Sequence, residues 1–163
     1  MATIKAVALD VDGVLTDGSF IWGPEDYEFK SLSFRDVMGV SQARKAGLTL
    51  ALISGEESPL VDRFARKMGI DSVYKGCKDK AAALRDFALR RGLLVEEVCF
   101  VGDDVNDLPA LALAGLAAAP ADAHPEVLRQ AGYVARLGGG HGAVREIVDH
   151  LFASGLALAG DPE

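Results

Sequence analysis

An α/β fold is what this sequence predicts: a doubly wound, Rossmann-like parallel sheet with one protruding β-hairpin. Three observations carry the prediction. Apolar runs of strand length end in polar residues, helical patterns closed by glycine separate them, and one aromatic-rich segment breaks the alternation. The chain has 163 residues and is 50% hydrophobic, which suits one domain whose core needs no disulfide or structural metal. Residues 1–155 are expected to form that domain, with a hairpin insertion at about 18–34 and a C-terminal tail at 156–163.

Ile4 to Asp10 reads as a buried strand, because Ala6-Val7-Ala8-Leu9 is apolar on both faces, as in the interior of a parallel sheet. Next, Ser19 to Phe34 places two aromatic-rich runs around Gly23-Pro24-Glu25-Asp26, the pattern of a hairpin. Trp22, Phe20 and Tyr27 on so small an excursion favour an oligomer interface over private packing. Val37 to Lys45, Pro59 to Met68 and Asp79 to Arg91 read as helices, stopped by Gly47, Gly69 and Gly92. Leu48 to Ser54 and Glu97 to Gly102 are two further buried strands, and Ser72 to Tyr74, Leu116 to Ala118 and Tyr133 to Val134 are short ones. Helices at Pro125 to Gln130 and Ala143 to Phe152 complete both covering layers. After Leu151 the chain is small and apolar, and the tail is expected to fray.

Lys and Arg number 17 against 24 Asp and Glu, a net charge of −7. That balance argues against a nucleic-acid or anionic-membrane surface, so an anionic substrate would need local cations. No apolar run approaches roughly 18 residues and no basic segment opens the chain, which points to a cytoplasmic protein with neither signal peptide nor membrane span. Cys77 and Cys99 lack metal-ligand spacing and read as buried free thiols.

The chemistry concentrates where strands end. Strand one delivers Asp10 and Asp12, followed by Gly13 and Thr16; strand two delivers Ser54-Gly55-Glu56; the third long strand delivers Gly102-Asp103-Asp104-Val105-Asn106-Asp107. Carboxyl ends of a doubly wound sheet converge on one crevice, so these groups should meet. Several carboxylates in one crevice raise each other's proton affinity unless a cation relieves them, and Mg²⁺ suits an all-oxygen donor set. Lys80, at the start of a helix, is the cationic counterpart. Taken singly, each residue has a plainer use: Asp103, Asp104, Asn106 and Asp107 as helix caps, Ser54 as a cap, Lys80 as a solvated lysine. Their joint order on alternating elements favours a site. His124, His141 and His150 fall outside these motifs and read as structural or solvated.

Asp10-Val11-Asp12-Gly13-Val14-Leu15-Thr16-Asp17-Gly18, Ser54-Gly55, Lys80 and Gly102-Asp103-Asp104 resemble the four motifs of the haloacid dehalogenase (HAD) superfamily of phosphotransferases. The hairpin in place of a cap domain, Gly76 to Lys80, and Gly139 to Glu146 are similar to its capless tetrameric phosphatases of 2-keto-3-deoxy sugar acids. The resemblance spans residues 4 to about 150. It implies a HAD-like fold, a homotetramer, and a Mg²⁺-dependent phosphatase working through an aspartyl-phosphate. In it Asp10 is nucleophile, Asp12 general acid then base, and Ser54 and Lys80 hold the phosphoryl group. Asp10, the backbone carbonyl of Asp12, and Asp103 take the metal, supported by Asp104, Asn106 and Asp107. Thr16, Gly55, Glu56, Arg63 and Lys67 are the substrate-binding set it suggests, with Glu56 pairing Lys67 or accepting from substrate hydroxyls. Glu56 in place of the arginine usual among 3-deoxy-D-manno-octulosonate 8-phosphate phosphatases, together with Lys67 and Asn106, is similar to the branch acting on nonulosonate (KDN or N-acylneuraminate-like) 9-phosphates. The expected substrate is accordingly a nonulosonate 9-phosphate, with the octulosonate 8-phosphate as alternative. A different class also stands, a non-catalytic oligomerisation module associated with a sialic acid cytidylyltransferase.

Overall fold

The computed structural model describes residues 2–158. In chain order the elements are β1 (Ala6–Leu9), β2 (Ile21–Trp22), β3 (Glu28–Phe29), α1 (Phe34–Lys45), β4 (Thr49–Ile53), α2 (Pro59–Met68), β5 (Ser72–Tyr74) and α3 (Lys80–Arg90). There follow β6 (Val98–Val101), α4 (Leu108–Leu111), β7 (Leu116–Ala119), α5 (Pro125–Gln130), β8 (Tyr133–Val134) and α6 (Ala143–Ala153). Six strands form one parallel sheet in the order β5-β4-β1-β6-β7-β8. The chain runs outward from β1 to β5, then crosses through α3 to β6 on the other side of β1. That reversal opens a crevice at the carboxyl ends of β1, β4 and β6.

Alternation along the central strands feeds two cores. Val7, Leu9, Leu50, Leu52, Cys99 and Val101 face one layer with Val40, Phe64, Val144 and Ile147. Ala6, Ala8, Ala51, Ile53, Val98 and Phe100 face the other with Leu84, Phe87, Leu111 and Val127. Phe87 is fully buried, and truncating such a side chain to alanine costs about 3–5 kcal/mol.

The sequence places every sheet strand, and the differences lie at ends. α1 starts at Phe34 because Ser33 Oγ accepts from Arg35 N, so helix begins three residues before Val37. Pro59 follows Ser58, whose Oγ accepts from Leu60 N, and Asp79 caps α3 by accepting from Ala82 N. The helical turns at Val95–Glu97, Val105–Asp107 and α4 carry too short a period to be read from the pattern. The hairpin is confirmed, with two-residue strands pairing Ile21 to Phe29 and Trp22 to Glu28. Its turn bends at Glu25 (φ 58°) and Asp26 (φ 62°) rather than at Gly23.

Two expectations need correction. The tail is not loose at its start: Leu156 carbonyl accepts from Ile4 N at 2.7 Å and Ala157 is buried in the first core. Residues 159–163 of that tail lie outside the described residues. Cys77 is only half-buried, whereas Cys99 is fully buried in the sheet. No described helix is long and apolar enough to cross a membrane.

Candidate active site

Asp10 leaves β1 into a tight loop. Its Oδ1 accepts from Val11 N at 2.7 Å, and its Oδ2 lies 2.8 Å from Lys80 Nζ. The loop is held by Thr16, whose Oγ1 accepts from the amides of Gly13 (3.2 Å) and Gly18 (3.1 Å). Thr16 thus shapes the loop, and it lines the neighbouring cavity rather than the crevice that holds Asp10. Gly13 is required twice over: it has φ +84°, and a Cβ there would stand 1.9 Å from Asp103 Oδ2. The loop can approach the carboxylate of the neighbouring strand end only because Gly13 has no side chain.

Lys80 opens α3, and its side chain is 2% exposed. Nζ reaches Asp107 Oδ1 at 2.6 Å as well as Asp10. Burial opposes its charge, but the two carboxylates outweigh burial and hold the ammonium's pKa above its usual value. Asp107 Oδ2 in turn accepts from the amides of Asp103 (2.8 Å) and Asp104 (3.2 Å). Asp107 is fully buried, so it does more than the capping expected of it: it fixes Lys80 and the Asp103 loop together.

Asp10, Asp103 and Asp107 each offer a carboxylate oxygen within 4.8 Å of the others. Burial and the Asp107 charge push the Asp10 carboxyl up to about 7 despite Lys80. Burial, with Asp10, Asp107 and Asp104 nearby, pushes Asp103 up to about 8. Negative charge thus exceeds what Lys80 relieves, and hard oxygen donors in that condition fit a divalent cation. Asp107 is fully buried behind Lys80 and does not line the crevice, whereas Asp10 and Asp103 do, so these two are the carboxylates placed to meet a metal there, with Asp104 and Asn106 on the same crevice.

Asp10, Asp12, Gly55, Glu56, Lys80, Asp103, Asp104 and Asn106 line one crevice of about 240 Å³, so most of the expected residues are brought together. Ser54 follows β4 as expected but is fully buried and is not among the crevice-lining residues; its Oγ accepts from Glu56 N at 3.2 Å, shaping the turn that presents Gly55 and Glu56. Arg63 and Lys67 are not in the crevice. They line a separate cavity of about 350 Å³ with Thr16, Phe64 and Lys30, and no ion pair joins Lys67 to Glu56 among the described residues. The reason is helical geometry: positions 63 and 67 stack on one face of α2, turned from the loop that carries Glu56.

Sequence reasoning missed two participants. Lys30, at the end of the hairpin, donates from Nζ to Asp12 Oδ1 at 2.6 Å. Asp36, buried in α1, accepts from Gly142 N (3.0 Å) and Arg145 N (3.1 Å), tying the end of the glycine run and the start of α6 to α1. That run is packed rather than loose, since a Cβ on Gly139 would stand 1.9 Å from Gly13 carbonyl oxygen. Two of the histidines serve structure: His124 Nδ1 accepts from Glu126 N, and His150 stacks on Tyr133 at 3.7 Å.

The family described as haloacid dehalogenase-like hydrolase matches residues 34–115. The 3-deoxy-D-manno-octulosonate 8-phosphate phosphatase of Escherichia coli K12 is 39% identical over 148 residues, 91% of this chain and 79% of that protein. The crystal structure of the Yersinia pestis enzyme of that name superposes with a TM-score of 0.91 at 37% identity, covering 94% of this chain and 83% of that one. The Moraxella catarrhalis phosphatase, solved with magnesium, phosphate and KDO, gives a TM-score of 0.90 at 33% identity, covering 93% and 87%.

Proposed function

Since the chain belongs to the haloacid dehalogenase-like hydrolases and is a phosphoric monoester hydrolase, we propose that it removes the phosphate from 3-deoxy-D-manno-octulosonate 8-phosphate or a closely related 2-keto-3-deoxy sugar acid. The observation that carries the chemistry is the buried Lys80 bridging Asp10 and Asp107, with Asp12 and Asp103 on the same crevice. An oligomerisation module would have no use for a buried ammonium held between carboxylates.

The family's cofactor is Mg²⁺, and the donor set fits it. Asp10, Asp103 and the backbone carbonyl of Asp12 would hold the ion, which when bound offsets the charge of the phosphoryl oxygens. The chain's own residues do the rest. Asp10 attacks phosphorus through a carboxylate oxygen as the bond to the sugar oxygen breaks, and Asp12 gives its proton to that oxygen. Water then attacks the aspartyl-phosphate, Asp12 takes the water's proton, and free phosphate leaves with Asp10 restored. Lys80 orients Asp10 and lies beside the phosphoryl oxygens throughout.

For the substrate, relatives of 36–39% identity over nine-tenths or more of the chain are named for the eight-carbon acid. This reverses the order reached from sequence, where Glu56, Lys67 and Asn106 favoured a nonulosonate 9-phosphate; Lys67 lies outside the crevice that Glu56 and Asn106 line, which removes one of the three residues behind that order. Cytoplasmic placement and a homotetramer complete the proposal. Trp22 (79% exposed), Tyr27 (61%) and Phe29 (56%) leave an apolar hairpin face that neighbouring copies would cover. A panel of the octulosonate 8-phosphate, KDN 9-phosphate and N-acetylneuraminate 9-phosphate tests the reading. The expected kcat/KM is highest for the eight-carbon acid by about tenfold or more, a difference of about 1.4 kcal/mol in transition-state binding. A higher value for either nine-carbon acid would restore the other order.

A further inference from the structure

We propose that Lys30, delivered by the hairpin, is a positioning residue that fixes the orientation of Asp12 for proton transfer to the leaving sugar oxygen. The inference rests on Asp12 being the general acid. Lys30 comes from the far end of β3, eighteen residues beyond Asp12, yet its Nζ stands 2.6 Å from Asp12 Oδ1. Its side chain is only 3% exposed, and burying an ammonium is costly unless it is paired. Glu28 of the same hairpin makes a second, longer ion pair with Lys30 at 3.7 Å, while the hydrogen bond goes to Asp12. The ring of Phe20 closes over the ammonium at 4.7 Å, so Lys30 is held from the hairpin side and directed at Asp12.

Lys30 occupies Asp12 Oδ1, leaving Oδ2 to bear the proton that passes to the sugar oxygen as its bond to phosphorus breaks. In the second half of the cycle the same oxygen receives a proton from the attacking water. Lys30 also lines the 350 Å³ cavity on its other side, whereas Asp12 lines the crevice, so the pair forms the partition between the two. The hairpin therefore contributes to catalysis within its own subunit, in addition to any role in assembly.

The leaving group distinguishes positioning from general damage. An alkyl phosphate such as the sugar acid phosphate needs its leaving oxygen protonated, whereas p-nitrophenyl phosphate expels a stable anion. In Lys30→Met, kcat/KM for the sugar acid phosphate should fall about 10²-fold, and that for p-nitrophenyl phosphate by less than about fivefold. Lys30→Arg, which keeps the charge, should recover at least about a tenth of the lost activity toward the sugar acid phosphate. Asp12→Asn, measured alongside, should show the same leaving-group dependence more strongly. If Asp12→Asn shows it and Lys30→Met lowers both substrates equally or neither, the positioning role is overturned while the acid stands. If Asp12→Asn lacks the dependence, the acid assignment falls and this inference falls with it. Lys30→Gln provides a second neutral variant should Lys30→Met fail to fold, with the same outcomes.

Discussion

Replacing Lys80 by methionine removes the one cation that stands, among the described residues, between Asp10 and Asp107, while keeping the length and apolar stem of the side chain. Breaking a buried ion pair by deleting one partner costs about 3–5 kcal/mol, because the remaining charges stay desolvated. For a chain of this size that corresponds to a fall in Tm of about 6–20 °C. The loss should depend on pH. Asp10 and Asp103 have carboxyls raised from 3.8 to about 7 and about 8, so each binds a proton more tightly folded than unfolded. Their contribution to stability is fully present below the unfolded value and is lost as pH rises through the folded ones. Lys80 itself, held above its usual pKa, stays charged across that whole window. Without Lys80 the carboxylates repel unopposed at pH 8, but protonation relieves them at pH 5.5. Thermal unfolding followed by circular dichroism in excess chelator, at both pH values, reads this directly. A Tm within about 2 °C of wild type at pH 8, or a penalty no smaller at pH 5.5, would refute the charge balance argued here.

Asp10→Asn should keep the fold and lose nearly all turnover, since an amide is a poor nucleophile toward phosphorus; retention of more than about a tenth of wild-type kcat would remove Asp10 from that role. Mg²⁺ must displace protons from Asp10 and Asp103 below pH 8, so its affinity should rise from pH 6 to pH 8, and calorimetry at pH 6 in buffers of different ionisation enthalpy should register proton release. Gly139→Ala sets a Cβ 1.9 Å from the Gly13 carbonyl, backbone against backbone with no flexible end to yield; destabilisation of about 1–3 kcal/mol with lower activity is expected in urea unfolding and phosphatase assays. Glu56→Arg should raise the ratio of kcat/KM for the eight-carbon over the nine-carbon acids, because Glu56 lines the crevice; an unchanged ratio would take Glu56 out of specificity.

Sequence alone settles the sheet and the acidic core of the site, because both are written locally. Ala6-Val7-Ala8-Leu9 is apolar on both faces, which only a covered parallel strand tolerates, and Asp10 follows at its carboxyl end. Parallel strands align such ends, so Asp10, Gly55 and Asp103 must share one edge whatever the details of the helices. Side chains that reach across elements obey no such period. Nothing local marks Lys30 in the sequence, and only the fold of the hairpin over the β1 loop sets its ammonium on Asp12. Asp107 reads as a cap until α3 brings Lys80 against it. Arg63 and Lys67 have the right chemistry for an acidic substrate, yet the rotation of α2 turns them into the neighbouring cavity. Strand ends are thus fixed by hydrophobic period and chain direction, whereas partners of buried charges are chosen by the packing of distant segments, where avoiding an unpaired ion in low dielectric decides the contact.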